Sequence, residues 1–322
     1  MKVSLALATY NGERYLLEQL ESFRQQTIKP DELVVCDDCS SDRTIEILED
    51  FSRTAGFEVR IFRNEANIGH IRNFERALSH CGGDYIFLSD QDDTWAANKL
   101  EVVLAEFKRN PLLDVIVNDA TYVDTVLASL DTTVLERVLS VGAKKSGHIA
   151  GACTAISRRF RDLIVPFPDS GCPQHDVYIH RWANLLGNKC VLEVPLQTWR
   201  IHGGNTSAYN EMTSPVIESM ALRYTKYKDV DTRAAYLEEA EEYREMLKIL
   251  RLRGEALRHL PAADDLAVIS ARMEAAIGAF QRRATLCDSR WLRRKGLAFR
   301  MLANGEYRYF KGMYSFAKDL LR

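Results

Sequence analysis

The chain has 322 residues, of which 46% are apolar, and a formal net charge of -2. That length carries one large domain with a full core plus a smaller companion. So even a charge balance excludes a protein whose whole surface is built for nucleic acid, and no nucleic-acid partner is expected.

In chain order, strand-like and helix-like patterns alternate. "VSLALA" predicts a strand, and Leu16, Leu20 and Phe23 then recur at helical spacing in "YLLEQLESFRQQ". "ELVVCD" predicts the second strand, and "SSDRTIEILEDF" a helix with capping residues ahead of Ile45, Leu48 and Phe51. "EVRIF", "HIRNFERALSH" and "YIFLS" continue as strand, helix and strand, followed by the helix "NKLEVVLAEFKR" and the strand "DVIVND". Such alternation predicts an α/β layer with a mostly parallel sheet. Further on, "GCPQHDVYIHRWANLLG" predicts a helix on which Val177, Trp182, Leu185 and Leu186 can pack, and "VLEVPL" a strand. Beyond about residue 210 the pattern turns to long helices. The expected division is a catalytic domain over 1–210 and a helical region over 211–322.

Seven scattered cysteines include one close pair, Cys36 and Cys39, without the second pair a zinc site would need. Free thiols fit a reducing cytoplasm. The apolar run in "MKVSLALATYNGER" is too short for a signal peptide, and no stretch approaches the ~18 apolar residues of a membrane span. The expectation is a cytoplasmic protein, either free or peripheral on the inner face of the cell membrane.

Open α/β sheets place their ligand outside the carboxyl ends of the strands. The segments that follow the first four strands are "TYNGE", "DDCSSD", "NEANIG" and "SDQDD", all polar. The last puts Asp90, Asp92 and Asp93 directly after a core strand. Carboxylates so close repel one another unless a cation arrives. Neither G-x-G-x-x-G after the first strand nor a G-x-x-x-x-G-K-[ST] loop is present. A metal on Asp92, with Asp90 or Asp93 assisting, would therefore neutralise diphosphate oxygens.

"ATYNG", "VVCDDCSSDRT", "NEANIG" and "FLSDQDDTW", in that order on strand ends, resemble the inverting family 2 glycosyltransferases of the GT-A fold. The resemblance runs from about Lys2 to Ser207. "SDQDD.W" with the later "R.H..N" of Arg200, His202 and Asn205 resembles bacterial rhamnosyltransferase-like members. It implies a nucleoside-diphosphate sugar donor, dTDP-rhamnose first and UDP-glucose, UDP-galactose or UDP-GlcNAc otherwise. It also implies a saccharide or lipid-linked saccharide acceptor in surface polysaccharide synthesis, and Mn²⁺ or Mg²⁺ as cofactor. The donor would meet Ala8, Tyr10, Asp38, Gly69, Asp90, Gln91 and Arg200, and the metal Asp92, Asp93 and His202. Tyr10 offers a ring to stack on the base, and Asp38 an acceptor for a pyrimidine imide proton. The plainer reading of Asp37 and Asp38 is that they cap the next helix.

The string "FLSDQDDT" also satisfies the apolar-D-x-D-x-T pattern of haloacid dehalogenase-like phosphatases, whose motif lies on the first strand of their domain. Here it follows three strand and helix units. For the base that activates the acceptor, the resemblance points to Asp176, in the first turn of its helix. The family's acidic dyad has its second member there, and His175 stands in place of the first. A helix-capping Asp176 without a chemical role is the alternative. Arg200 could pair with a diphosphate, and His202 could complete the metal shell. Processive relatives carry Q-x-x-R-W. Gln197 and Arg200 fit that pattern but Ile201 replaces the tryptophan, so one sugar per encounter is expected.

The final segment, from Arg282 on, interleaves Arg and Lys with Trp, Phe, Tyr and Leu. Two readings of it stay open. A helix could lie on an anionic membrane surface, or Leu297, Phe299, Leu302, Phe310 and Phe316 could pack into a helical core.

Overall fold

Val3 to Leu7 are fully apolar or small and lie inside, and with Thr9 they form β1 (Val3–Thr9), the strand from which the sheet is built. In the computed structural model, which describes residues 1–140, 145–168, 174–203, 232–257, 266–310 and 312–321, β1 lies between β2 (Glu32–Asp37) and β4 (Tyr85–Ser89), both parallel to it. β3 (Glu58–Arg63) adds a parallel edge beside β2. The helices α1 (Leu16–Arg24), α2 (Thr44–Ser52), α3 (His70–His80) and α4 (Lys99–Arg109) occur where the 3.6-residue period predicts them.

The full order is β3-β2-β1-β4-β8-β6-β9-β5, with β7 (Ser129–Thr133) on the side of β6 (Val115–Val123). The long ladders are parallel, including that of β6 with β9 (Lys189–Arg200). Short antiparallel ones bring in β8 (Thr154–Ser157) and β5 (Thr94–Trp95). The helices α5 (Val134–Ser140), α6 (Arg158–Ile164) and α7 (His175–Leu186) complete this region. α7 ends on Gly187 at φ 70, the left-handed backbone a glycine adopts without a Cβ penalty.

β9 is longer than "VLEVPL" predicts. Its ladder with β6 slips between Asn118 and Asp119, where Pro195, which has no N–H to donate, meets Asp119. The strand resumes beyond this bulge and runs to Arg200, so "QTWR" belongs to the sheet. The core beneath the parallel strands joins Leu5, Leu7, Leu16, Leu20, Phe23, Leu33, Val35 and Phe87, among others. Full burial of such a side chain stabilises the fold by about 1.5–3 kcal/mol.

Two compact units divide the chain. Among the described residues, 1–167 and 174–203 belong to the first, and 232–254 and 266–321 to the second. The second holds α8 (Thr232–Leu257) as far as Gly254, α9 (Leu266–Cys287), α10 (Trp291–Ala303) and α11 (Met313–Leu321). The segment expected to part the two regions, around residue 210, lies outside the described residues, as does Asn205. In the second unit Leu286, Ala298, Met301, Tyr307 and Phe316 form a core against which Leu297, Leu302 and Phe310 pack. The helical-core reading therefore holds for those residues, while Phe299 stays 56% exposed with its ring edge-on to Phe316. No helix among the described residues is long and apolar enough to cross a membrane.

Candidate active site

The order 3-2-1-4 reverses at β1, so the crevice beyond the ends of β1 and β4 is the switch point of the sheet. One side chain stitches it. The Gln91 side-chain oxygen accepts from the Tyr10 N–H at 2.9 Å, and its amide nitrogen donates to the Tyr10 carbonyl at 3.0 Å. A Cβ on Gly12 would lie 2.3 Å from that Gln91 oxygen, so a larger residue there would displace the Gln91 amide. Tyr10 itself is 50% exposed, and Ala8, opposite Cys36 in the β1–β2 ladder, is partly exposed.

At the end of β2 two carboxylates are buried. Asp37 accepts from the Thr9 hydroxyl at 3.0 Å and from the Ser40 N–H at 2.9 Å. Asp38, 2% exposed, accepts from the Asn64 amide at 2.7 Å and from the N–H groups of Ile68 at 2.8 Å and Gly69 at 2.9 Å. Neither caps α2, whose N-cap is Arg43. Asp38 instead fixes the "NEANIG" segment, whose last residue, Gly69, has φ 83 and opens α3.

Beyond β4 the three aspartates separate. Burial first, and then the charges of Asp92 and Asp176, push the Asp90 carboxyl up to about 7. Asp92 lies 2.8 Å from His202 Nε2, and the His202 ring lies 5.0 Å from that of Tyr15. Asp93 faces elsewhere than expected. One of its oxygens accepts from the Arg200 N–H and the other from the Gln197 amide, both at 3.1 Å, so it anchors β9. Burial, then Asp92 and Asp90, raise its carboxyl well above the ordinary value.

Arg200 also departs from expectation. Its side chain is fully buried, with Nε donating to the Asp92 carbonyl at 2.8 Å and a terminal nitrogen donating to the Thr125 carbonyl at 2.9 Å. The guanidinium pairs with Glu18 and lies 4.4 Å from the Tyr15 ring centroid. It holds the aspartate loop in place, and nothing of it is exposed for a diphosphate. The bulge in β9 explains this, because it carries "QTWR" into the sheet.

Asp176 stands in the first turn of α7, one oxygen accepting from the Val177 N–H at 2.7 Å. The N-cap of that helix is Gln174, whose side-chain oxygen lies 2.6 Å from His70 Nε2. His175 is buried and stacked on Phe74, with ring centroids 4.1 Å apart. Burial pulls its pKa down to about 4, and Asp176 opposes that shift. Neither ring nitrogen has a hydrogen-bond partner among the described residues. A Cβ on Gly151 would meet its Nε2 at 2.6 Å, so the backbone passes directly over the imidazole.

Lys99, unremarked in the sequence, underlies the whole arrangement. Fully buried, it donates to the Ala152 carbonyl at 3.2 Å and to the side-chain oxygen of Gln197, and its ammonium lies 3.9 Å from the Trp95 ring centroid. Burial brings that ammonium down to about 7. It ties the aspartate loop, through Gln197 and Asp93, to the Gly151 segment beside Asp176. Its signal was its place in the row Lys99, Val103, Phe107, the buried face of α4. Glu18 and Tyr15 left no comparable sign, since an acid in a first turn reads as a partner of the helix dipole.

The family model described as Glycosyl transferase family 2 matches residues 4–160. These residues carry a family 2 glycosyltransferase domain. The family 2 domain covers β1 to β8 and the aspartate loop, so the phosphatase reading of "DQDDT" falls: the motif sits on the fourth strand of a glycosyltransferase sheet. The putative glycosyltransferase EpsE of Bacillus subtilis (strain 168) is 34% identical over 109 residues, 34% of this chain and 39% of EpsE. The Escherichia coli protein named UDP-Glc:alpha-D-GlcNAc-diphosphoundecaprenol beta-1,3-glucosyltransferase WfgD is 28% identical over 189 residues, 57% of this chain and 69% of WfgD. The chain thus spans about two fifths of EpsE and about two thirds of WfgD. The crystal structure of S. aureus TarS 1–349 in complex with UDP-GlcNAc superimposes with a TM-score of 0.58 at 19% identity, over 99% of this chain and 82% of that one. That likeness establishes the GT-A fold.

Proposed function

We propose that the chain transfers one sugar from a uridine or thymidine diphosphate donor to a hydroxyl of a saccharide or lipid-linked saccharide, inverting the anomeric carbon. The observation that carries this reading is the meeting of Asp90, Asp92, His202 and Asp176, from three separate segments, at the carboxyl edge of a family 2 domain. The donor base would lie on Tyr10 near Asp38. Three donors occupy Asp38, and a carboxylate has about four lone-pair sites, which leaves one for a pyrimidine imide N–H.

Asp92 and His202 are the pair that would hold a divalent cation, Mn²⁺ or Mg²⁺, with Asp90 beside them. Among the described residues no group of three or more such ligands occurs. That fits a hard cation bound by one or two protein groups and the donor's phosphates rather than by a protein cage. When bound, the ion offsets charge on the departing nucleoside diphosphate. Asp176 takes the acceptor hydroxyl proton while the hydroxyl oxygen bonds to the anomeric carbon and the bond from that carbon to the diphosphate breaks. Asp93 and Arg200 act on the reaction only by holding the Asp92 loop.

UDP-glucose and UDP-GlcNAc, the sugars in the names of WfgD and of the TarS complex, stand beside dTDP-rhamnose as donors to test. A lipid-linked acceptor would put the reaction at the cytoplasmic face of a membrane, with synthesis of a surface polysaccharide as its setting. Incubation with Mn²⁺ and a panel of nucleotide sugars, read as nucleoside diphosphate release, should show turnover with a UDP or dTDP sugar. GDP inhibiting better than both UDP and dTDP would sink the pyrimidine assignment.

A further inference from the structure

Helix α10 has an inner side that is fully accounted for. Ala298 and Met301 are buried in the helical core, Leu297 and Leu302 pack against it, and Arg294 donates to the carbonyls of Leu286 and Cys287, both at 3.3 Å. The outer side differs. Trp291 is 58% exposed, Leu292 78% and Phe299 56%. Successive residues of a helix turn by about 100°, which puts Leu292, Phe299, Ala303 and Gly296 in one outward strip. Lys295 then borders that strip on one flank, and Arg300 and Arg293 on the other. α10 carries no acidic residue at all. The Lys295 ammonium lies 3.8 Å from the ring centroid of the exposed Trp291, which stands on the far side of Lys295 from the strip.

We infer that this outer face of α10 docks on an anionic phospholipid surface. The apolar strip enters the boundary between headgroups and acyl chains, and the two basic flanks meet lipid phosphates. Burying Leu292 and Phe299 removes apolar surface that the protein's own core leaves in water. The one-sided positive charge selects an anionic surface and makes the attachment sensitive to salt. A second copy of the helix would bring like charges together along both flanks, which disfavours self-association through this face. The inference deepens the proposed function, and its biological sense rests on a lipid-linked acceptor.

The test uses the full chain and sedimentation with vesicles of phosphatidylcholine, with and without phosphatidylglycerol. Binding should require phosphatidylglycerol and fall as salt is raised. Replacing the flanks together (Arg293→Gln, Lys295→Gln, Arg300→Gln) should weaken it by about a hundredfold. Trp291→Ser with Leu292→Ser should weaken it by about tenfold or more, leaving Phe299 on its Phe316 contact. Thermal melting confirms that each variant folds. Equal sedimentation with neutral and anionic vesicles would overturn the inference, as would unchanged binding in both variants. So would a dimer in wild type that the Trp291→Ser and Leu292→Ser changes abolish. Donor turnover measured on a water-soluble acceptor is independent of all this, so loss of vesicle binding with turnover intact removes the docking face and leaves the transferase.

Discussion

Two carboxylates, Asp319 in the helical unit and Asp90 in the family 2 domain, are handled in opposite ways. In the helical unit Asp319 lies against Arg283, with 3.1 Å between Nε and the carboxylate, and accepts from the Tyr307 hydroxyl at 3.0 Å. The guanidinium in turn lies 4.2 Å from the Phe310 ring centroid. In the family 2 domain Asp90 has Asp92 and Asp176 for neighbours and is pushed up to about 7, the Lys99 ammonium opposing this only in part, while the nearby Arg200 is turned to the Asp92 backbone and to Glu18. A buried acid with its cation built in holds a fold together. One surrounded by acids keeps a place for a cation from outside. The difference separates structure from chemistry on physical grounds, and each half of it can be broken separately.

The largest effect is expected at Asp176. Asp176→Asn keeps the shape but cannot take the proton, so transfer should fall by about 10² to 10⁴ while donor binding, measured by calorimetry, changes little. Activity within a few-fold of wild type would move the base elsewhere and leave the charge on Asp90 without a catalytic reason. Next comes the helical pair. Arg283→Met strands Asp319 in the core, and breaking a buried pair in this way costs about 3–5 kcal/mol. Denaturant unfolding should show that loss, with kcat per folded molecule unchanged. A drop in kcat without a loss of stability would erase the contrast between the units.

Asp92→Ala tests the other half. Loss of the partner of His202 should lower turnover by about a hundredfold or more. The same change should relieve the repulsion on Asp90, so melting without added metal should show the fold intact. Full activity in excess chelator would remove the cation from the comparison altogether.

Much of this was legible in the sequence because it depends on local pattern. The strand and helix alternation predicts the parallel half of the sheet, and the polar segments after each strand mark the edge where the candidate site lies. What stayed hidden depended on distant partners. Arg200 reads as a phosphate ligand until the slip at Asp119 and Pro195 draws "QTWR" into β9. Asp93 cannot be told from Asp92 until Gln197 and the Arg200 N–H arrive from 104 and 107 residues away. Asp38 reads as a cap until Asn64, Ile68 and Gly69 close on it. β7, α5 and α6 are short and carry too few turns for a periodicity to register.

The smallest expected effect concerns His175, the uncharged residue beside the proposed base Asp176. Its folded pKa is about 4, against about 6.5 for an unperturbed histidine. Below about pH 4 both states carry the proton and above about 6.5 neither does, so only between these values does the unfolded chain bind one more. Stability should therefore be complete above about pH 6.5 and be lost as the pH falls toward 4, with a slope of at most about 1.4 kcal/mol per unit from this group. Asp176 and His70 are the titratable groups that face it, the first favouring the charged ring and the second opposing it. His175→Phe keeps a ring on Phe74 and removes the titration, so its unfolding free energy should fall less steeply over that window. Some slope should remain, because burial also holds His148 and His180 below the ordinary value. Identical slopes in wild type and variant would mean that the imidazole is charged in the folded protein. His175 would then be the built-in cation for Asp176, and the family 2 domain would handle that acid as the helical unit handles Asp319.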